Sequence, residues 1–132
     1  MHTPNPVNMV AVVEDDSLLG SLVVKVLAQC GVPTQHYQGG LAFLKSGYVG
    51  TYQTAILDLS LPDIDGFELI TRLYEIAPHV ELLLISGRGN ATLESARLVA
   101  EGLGFVVVGT LNKPFSNQDL CLALKLKTAL SR

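Results

Sequence analysis

LDLSLPDIDG, residues 57–66, is the stretch whose reading decides the fold. It ends the apolar run TAIL (54–57) on Asp58, then passes Pro62, Asp63 and Gly66 into a segment with helical spacing at Phe67, Ile70 and Leu73. A short apolar run without polar alternation is how a strand covered on both faces reads. Asp65 followed by Glu68 fits the capping pattern in which N-cap and N3 side chains satisfy the free amides of a helix start. The stretch is therefore a strand-to-helix junction with an acidic residue at the strand's end.

Similar junctions recur on both sides. MVAVV (9–13), VELLLI (80–85) and FVVVG (105–109) read as further covered strands, and PTQHY (33–37) as a weaker one nearer an edge. Between them, Leu18, Leu19, Leu22, Val23, Val26 and Leu27 fall on one helical stripe, and Leu93, Ala96, Ala100 and Leu103 on another. Residues 41–45 read as a short helix closed by Gly47, Asn90 as an N-cap, and Ser116 with Asp119 as a second capping pair. Leu120, Leu122, Leu124 and Leu126 alternate as a strand would, but the capping signal and the length favour a helix that is apolar on two sides, which would also suit a partner surface. A β-α unit repeated five times implies a parallel sheet with helices on both faces. With right-handed crossovers and strand order 2-1-3-4-5 it is an α/β, flavodoxin-like (βα)5 three-layer sandwich, whose ligands bind at the switch point between strands 1 and 3.

The chain has 132 residues, the size of one domain, and is 48% hydrophobic and 16% charged, which argues against disorder. Its net charge of −3, without a Lys/Arg-rich block, gives no nucleic-acid surface. No apolar run approaches the roughly 20 residues that cross a bilayer. MHTPNPVN (1–8) reads as a flexible tail, neither signal peptide nor lipidation motif, before a domain over 9–131. The protein reads as soluble and cytoplasmic. Cys30 and Cys121 are far apart and outside any CxxC pattern, so they read as buried apolar thiols. His2, His36 and His79 have no partner at metal-ligand spacing and are given no catalytic role.

The chemistry collects at the strand ends. Strand 1 ends in Glu14-Asp15-Asp16 and strand 3 in Asp58, so four carboxylates converge. Like charges brought together need a cation or protons, and oxygen-only donors suit a hard cation, Mg²⁺ being the natural occupant. Strand 4 runs into Ser86-Gly87, and strand 5 is followed by Lys113-Pro114, a bond open to the cis form. Carboxylates, hydroxyl and ammonium together make a phosphoryl-group site. Each has a plainer explanation alone: Asp16 a helix cap, Ser86-Gly87 a turn, Lys113 a solvated lysine. Those explanations would all have to hold at once at four separate strand ends.

In combination and order, VVEDD (12–16), LDLSLPDIDG (57–66), Ser86 and LNKPF (111–115) resemble the receiver domain of two-component response regulators over Met9 to about Leu130. The resemblance implies that Asp58 accepts a phosphoryl group from a sensor histidine kinase or phosphotransfer protein. Glu14 and Asp15, with Asp58 and the backbone carbonyl of Ser60, would hold Mg²⁺, while Ser86 and Lys113 would bond phosphoryl oxygens. Ser86 would move inward to do so, and the output face would be helix 4, strand 5 and helix 5, also a possible homodimer surface. The resemblance further implies that the domain catalyses only its own phosphorylation and dephosphorylation.

Four positions stand out against the family's habit. Thr110 stands where an aromatic residue usually reports the switch state. Arg88 and Ser60 flank the acceptor where dephosphorylation rate is tuned. Glu14 replaces the more frequent Asp and, one methylene longer, is expected to act through a metal-bound water. SARLVAEGLGFVVVGTLNKPF (95–115) is also similar to receivers that precede cyclic-di-GMP phosphodiesterase (EAL-type) domains, so an effector of that kind beyond Arg132 is an expectation. Competing readings are weaker. A pseudo-receiver without phosphotransfer conflicts with the intact acidic, serine and lysine set. A haloacid-dehalogenase-type phosphatase needs an Asp where Ser60 stands. Flavin binding needs a phosphate-cradling loop where EDD would repel phosphate.

Overall fold

Five strands, β1 (Val10–Val13), β2 (Thr34–Tyr37), β3 (Thr54–Asp58), β4 (Glu81–Ser86) and β5 (Val107–Asn112), form one parallel sheet in the order β2-β1-β3-β4-β5. The computed structural model describes residues 9–126; the expected tail at 1–8 and the end of the expected domain at 127–131 lie outside the described residues. Five helices connect and flank the strands: α1 (Ser17–Gln29), α2 (Gly40–Leu44), α3 (Gly66–Ile76), α4 (Asn90–Leu103) and α5 (Asn117–Ala123). The expected flavodoxin-like order is the observed one. Among the described residues no helix is long and apolar enough to cross a membrane.

The strands alternate faces with the period of two that a pleat imposes. Ala11, Val13, Ala55, Leu57, Leu82 and Leu84 point to a core shared with α2, α3 and α4. Val10, Val12, Ile56, Leu83 and Ile85 point to a second core shared with α1 and α5. Both faces are thus covered, and every residue of β1 and β3 is buried. That is why these strands read as unbroken apolar runs.

Several local expectations need correction. The fifth strand begins at Val107, not Phe105: Gly104 turns out of α4 at φ 121°, and Phe105 is buried edge-on against Tyr74 at 5.3 Å. The strand instead continues to Asn112, where it pairs with Ser86. On α1, Leu18 is 82% exposed and Leu22 47%; the buried residues are Gly20, Val23, Val26 and Leu27. The stripe is rotated because Gly20 lies against the His36 ring of β2, which a Cβ there would overlap.

Asn90 is not the cap of α4. Gly89 is, at φ 97° and without a side-chain bond, while the Asn90 side chain accepts from the Asn112 amide instead. Asp65 caps α3 by accepting from Phe67 N and Glu68 N, but Glu68 turns to Arg72 rather than completing the box. The Ser116–Asp119 box is complete in both directions. α5 is a helix, as its cap implied, but a short one. Lys125 takes a left-handed φ of 58°, and Leu126 N donates to Cys121 O at 2.8 Å, which closes the helix.

Gly66 joins the loop after Asp58 to α3. A Cβ there would lie 3.0 Å from the Leu59 carbonyl oxygen and 3.0 Å from its Cα, both backbone. Gly102, in α4, has nothing within 4 Å of such a Cβ. Gly66→Ala should therefore lower stability in urea denaturation by about 1–3 kcal/mol, whereas Gly102→Ala should raise it by up to about 1 kcal/mol. Equal effects at the two positions would contradict this packing.

Candidate functional site

Parallel pairing carries the ends of four strands to one edge of the sheet. Asp58 pairs with Ile85, Ser86 with Asn112, and Glu14 N donates to the Tyr37 carbonyl just past β1. Lys113 N donates to Ser86 O at 2.9 Å, so the residue after β5 is fixed by the end of β4. The Lys113-Pro114 bond is cis.

Glu14, Asp15 and Asp58 each offer a carboxylate oxygen, all within 4.8 Å of one another. Glu14 and Asp58 are sealed from solvent, at 0% and 1% exposure, while Asp15 is exposed. Lys113 Nζ sits between the buried pair, 2.7 Å from Glu14 Oε1 and 3.1 Å from Asp58 Oδ2. The contact with Asp58 is a hydrogen bond; that with Glu14 is close but lacks hydrogen-bond angles. Asp58 Oδ1 accepts from Ser60 N at 3.0 Å, and Glu14 Oε2 from Asp16 N at 3.1 Å. These amides fix the orientation of both carboxylates.

Ser86 is fully buried, and its Oγ accepts from Arg88 N at 2.9 Å. This bond uses a lone pair and leaves the hydroxyl proton to be donated elsewhere. Arg88 is exposed. Asp16 is the fourth carboxylate in sequence, but its side chain caps α1 by accepting from Leu18 N and Leu19 N. The plain reading holds for it. Thr110 lies within β5, opposite Leu84, in the position without an aromatic ring.

Asp63 was not singled out in the sequence, yet its carboxylate accepts from Gly40 N and Leu41 N at the start of α2. Gly39, the N-cap of α2, has no side chain to cap with, so the loop after Asp58 supplies the acceptor. The Gly39-Gly40 pair before a short apolar run was the available signal. Of the histidines, His36 Nε2 contacts Glu14 O at 2.8 Å and His79 Nε2 contacts Gly50 O at 2.9 Å. Both have structural partners.

Three carboxylates and one ammonium, all ionised, sum to −2. This residual charge, on oxygen donors alone, fits a hard divalent cation. Without one, burial dominates at Glu14 and pushes its carboxyl up from 4.5 to about 7, although the Lys113 ammonium pulls the other way. Burial disfavours the Lys113 ammonium, but Glu14 and Asp58 outweigh it and hold its pKa above the ordinary value.

The folded state thus favours protonated Glu14. Its stabilising contribution is present below about pH 4.5 and is lost as pH rises through about 7. In the metal-free protein, denaturation free energy should fall by about 1–3 kcal/mol across that window. Glu14→Gln should flatten the fall. An identical pH profile in the variant would show that Glu14 does not titrate there.

The sequence model described as "response regulator receiver domain" matches residues 10–125. The chain is 32% identical over 120 residues to the transcriptional regulatory protein CreB of Escherichia coli, covering 91% of this chain and 49% of that protein. It is 26% identical over 107 residues to the response regulator receiver protein CpdR of Brucella abortus, covering 81% and 85%. The chain spans about half the length of several curated relatives it matches, CreB among them. A crystal structure of a response regulator from Colwellia psychrerythraea superposes with a TM-score of 0.77 at 32% identity, covering 90% of this chain and 95% of that one. Fold, strand-end carboxylates and these matches agree: the chain belongs to the response regulator receiver domain family.

Proposed function

We propose that this domain is a phosphorylation switch in which Asp58 accepts a phosphoryl group from a sensor histidine kinase or a phosphotransfer protein, with Mg²⁺ held by Glu14, Asp15, Asp58 and the Ser60 carbonyl. The observation that carries the reading is Lys113 Nζ, set between the buried Glu14 and Asp58 carboxylates at the edge where the acidic triad converges. When bound, the cation offsets charge on the phosphoryl oxygens.

The chain's own groups account for the rest. Asp58 is held by Ser60 N on one oxygen and by Lys113 on the other, so its carboxylate is oriented before a donor arrives. In transfer, an Asp58 oxygen forms the bond to phosphorus as the bond from phosphorus to the donor's imidazole nitrogen breaks, and the imidazole takes up a proton. Lys113 then follows the new charge onto a phosphoryl oxygen. The Ser86 hydroxyl donates to another, which draws the 87–89 loop ahead of α4 inward. Glu14 would help hold the cation, its extra methylene placing it to act through a bound water.

The output surface in this reading is α4, β5 and α5, which an effector domain, a partner or a second copy would engage. Leu98 and Val99 of α4, Val106 before β5 and Leu122 of α5 are exposed apolar residues on that side. The cyclic-di-GMP phosphodiesterase effector expected from residues 95–115 finds no support in these relatives: CreB is named as a transcriptional regulatory protein. With Thr110 in β5, a rotating aromatic ring is not the coupling device.

Incubation with acetyl phosphate and Mg²⁺ should add about 80 Da to the intact mass, the gain of one phosphoryl group. Asp58→Asn should show no gain, and omission of the divalent cation should abolish it in the parent. Modification of Asp58→Asn to the same extent, or none in the parent, would sink the reading and leave a pseudo-receiver. Lys113→Ala should remain phosphorylatable but lose the conformational response, since its ammonium no longer bridges acceptor and phosphoryl oxygen. The response is read as the change in hydrogen exchange at residues 87–103 on phosphorylation.

A further inference from the structure

The two cysteines of the chain are 91 positions apart in sequence, yet their sulfurs lie 3.9 Å from each other. Cys30 is the C-cap of α1 and is half-buried; Cys121 is the fifth residue of α5 and is buried. Both belong to the core between the sheet and the α1/α5 layer. Both are free thiols in this structure. We propose that Cys30 and Cys121 are a redox-controlled pair that closes to a reversible disulfide and staples α5 to α1.

The sulfurs must approach from 3.9 Å to about 2.05 Å, a movement within reach of side-chain rotation. Access is asymmetric. Cys30 at the helix end is open to a small oxidant, while burial pushes the Cys121 thiol up to about 11 and keeps it protonated. The order of steps follows, with a small-molecule disulfide such as oxidised glutathione as oxidant. Cys30 loses its proton to solvent and attacks one glutathione sulfur; a Cys30–S bond forms, the glutathione S–S bond breaks, and one thiolate leaves. Cys121 then loses its proton and attacks Cys30 Sγ. The Sγ–Sγ bond forms and the second glutathione thiolate departs. The cysteine pair gives up two electrons, and glutathione disulfide becomes two thiols once the leaving groups are protonated.

The place of the bond gives it leverage. α5 has seven residues, of which Leu120 and Cys121 are buried, and β5 beneath it is half-exposed along Val107–Leu111. Such weakly anchored elements open locally at low free energy. A cross-link closing a loop of this length restricts that opening. The carboxylate site lies past the carboxyl ends of the strands, whereas Cys30 lies at the far end of α1, just before β2 begins. Oxidation therefore tightens α5 without touching Asp58, Glu14 or Lys113.

The full chain should be incubated with excess oxidised glutathione, alkylated, digested and mapped by mass spectrometry. The expected product is a Cys30–Cys121 linked peptide, with a mass loss of about 2 Da that dithiothreitol reverses. The oxidised form should melt at least about 5 °C higher, with amide exchange in α5 slowed at least tenfold. Cys30→Ser, at a half-exposed position, should yield no link and no rise in melting temperature. A stable glutathione adduct on Cys30, a link between two chains, or thiols that stay reduced would each overturn the proposal. A linked product with unchanged α5 exchange would overturn the staple.

Discussion

Two carboxylates without contact to water are tolerable here because an ammonium stands between them. Glu14 and Asp58 lie at the ends of adjacent strands, and each would be a heavily penalised charge if left alone. Lys113 reaches both, from a strand that neighbours neither β1 nor β3. The balance is deliberately incomplete, since three carboxylates face one positive group. Burial, reinforced by the neighbouring Asp58 charge, pushes the Glu14 carboxyl up toward neutrality. Such an oxygen-only cluster with excess negative charge fits a divalent cation.

The sheet makes that arrangement rigid. Parallel strands sealed on both faces leave their carboxyl ends as the place where polar groups can gather. The β4–β5 pairing continues to Ser86 and Asn112, and the Lys113 amide is bonded to Ser86 O. The hydroxyl and the ammonium proposed to share a phosphoryl group are thus tied to each other through the backbone. On the other flank, Asp63 ties the loop after Asp58 to the start of α2, while Gly66 lets that loop pass against Leu59. Asp58 is held from both sides, and the 87–89 segment, with Gly87 and Gly89, is the part proposed to respond.

The periphery is built differently. β5 is half-exposed, α5 is short, and apolar residues of α4 and α5 face solvent. Burial falls from the central strands β3 and β4 toward this side, which suits a surface that a partner completes. The Asn90–Asn112 side-chain bond connects the start of α4 to the end of β5.

The sequence by itself determined the layer order and the identity of the strand-end residues. Apolar runs, helical stripes and turn residues are local signals, and both-face burial erases alternation in a way that can be read directly. That is why Glu14, Asp15, Asp58, Ser86 and Lys113 could be picked out before their geometry was known. Distances between remote segments carry no local signal, and there tertiary structure decided. The sequence places Asp16 beside the cluster but reads it as a helix cap, and its carboxylate does cap α1. Leu18 and Leu22 share a stripe with Leu27, but the close approach of Gly20 to His36 rotates them outward. Phe105 looks like strand and is instead a core anchor against Tyr74. Cys30 and Cys121, unrelated along the chain, meet because α1 and α5 cover the same face of the sheet.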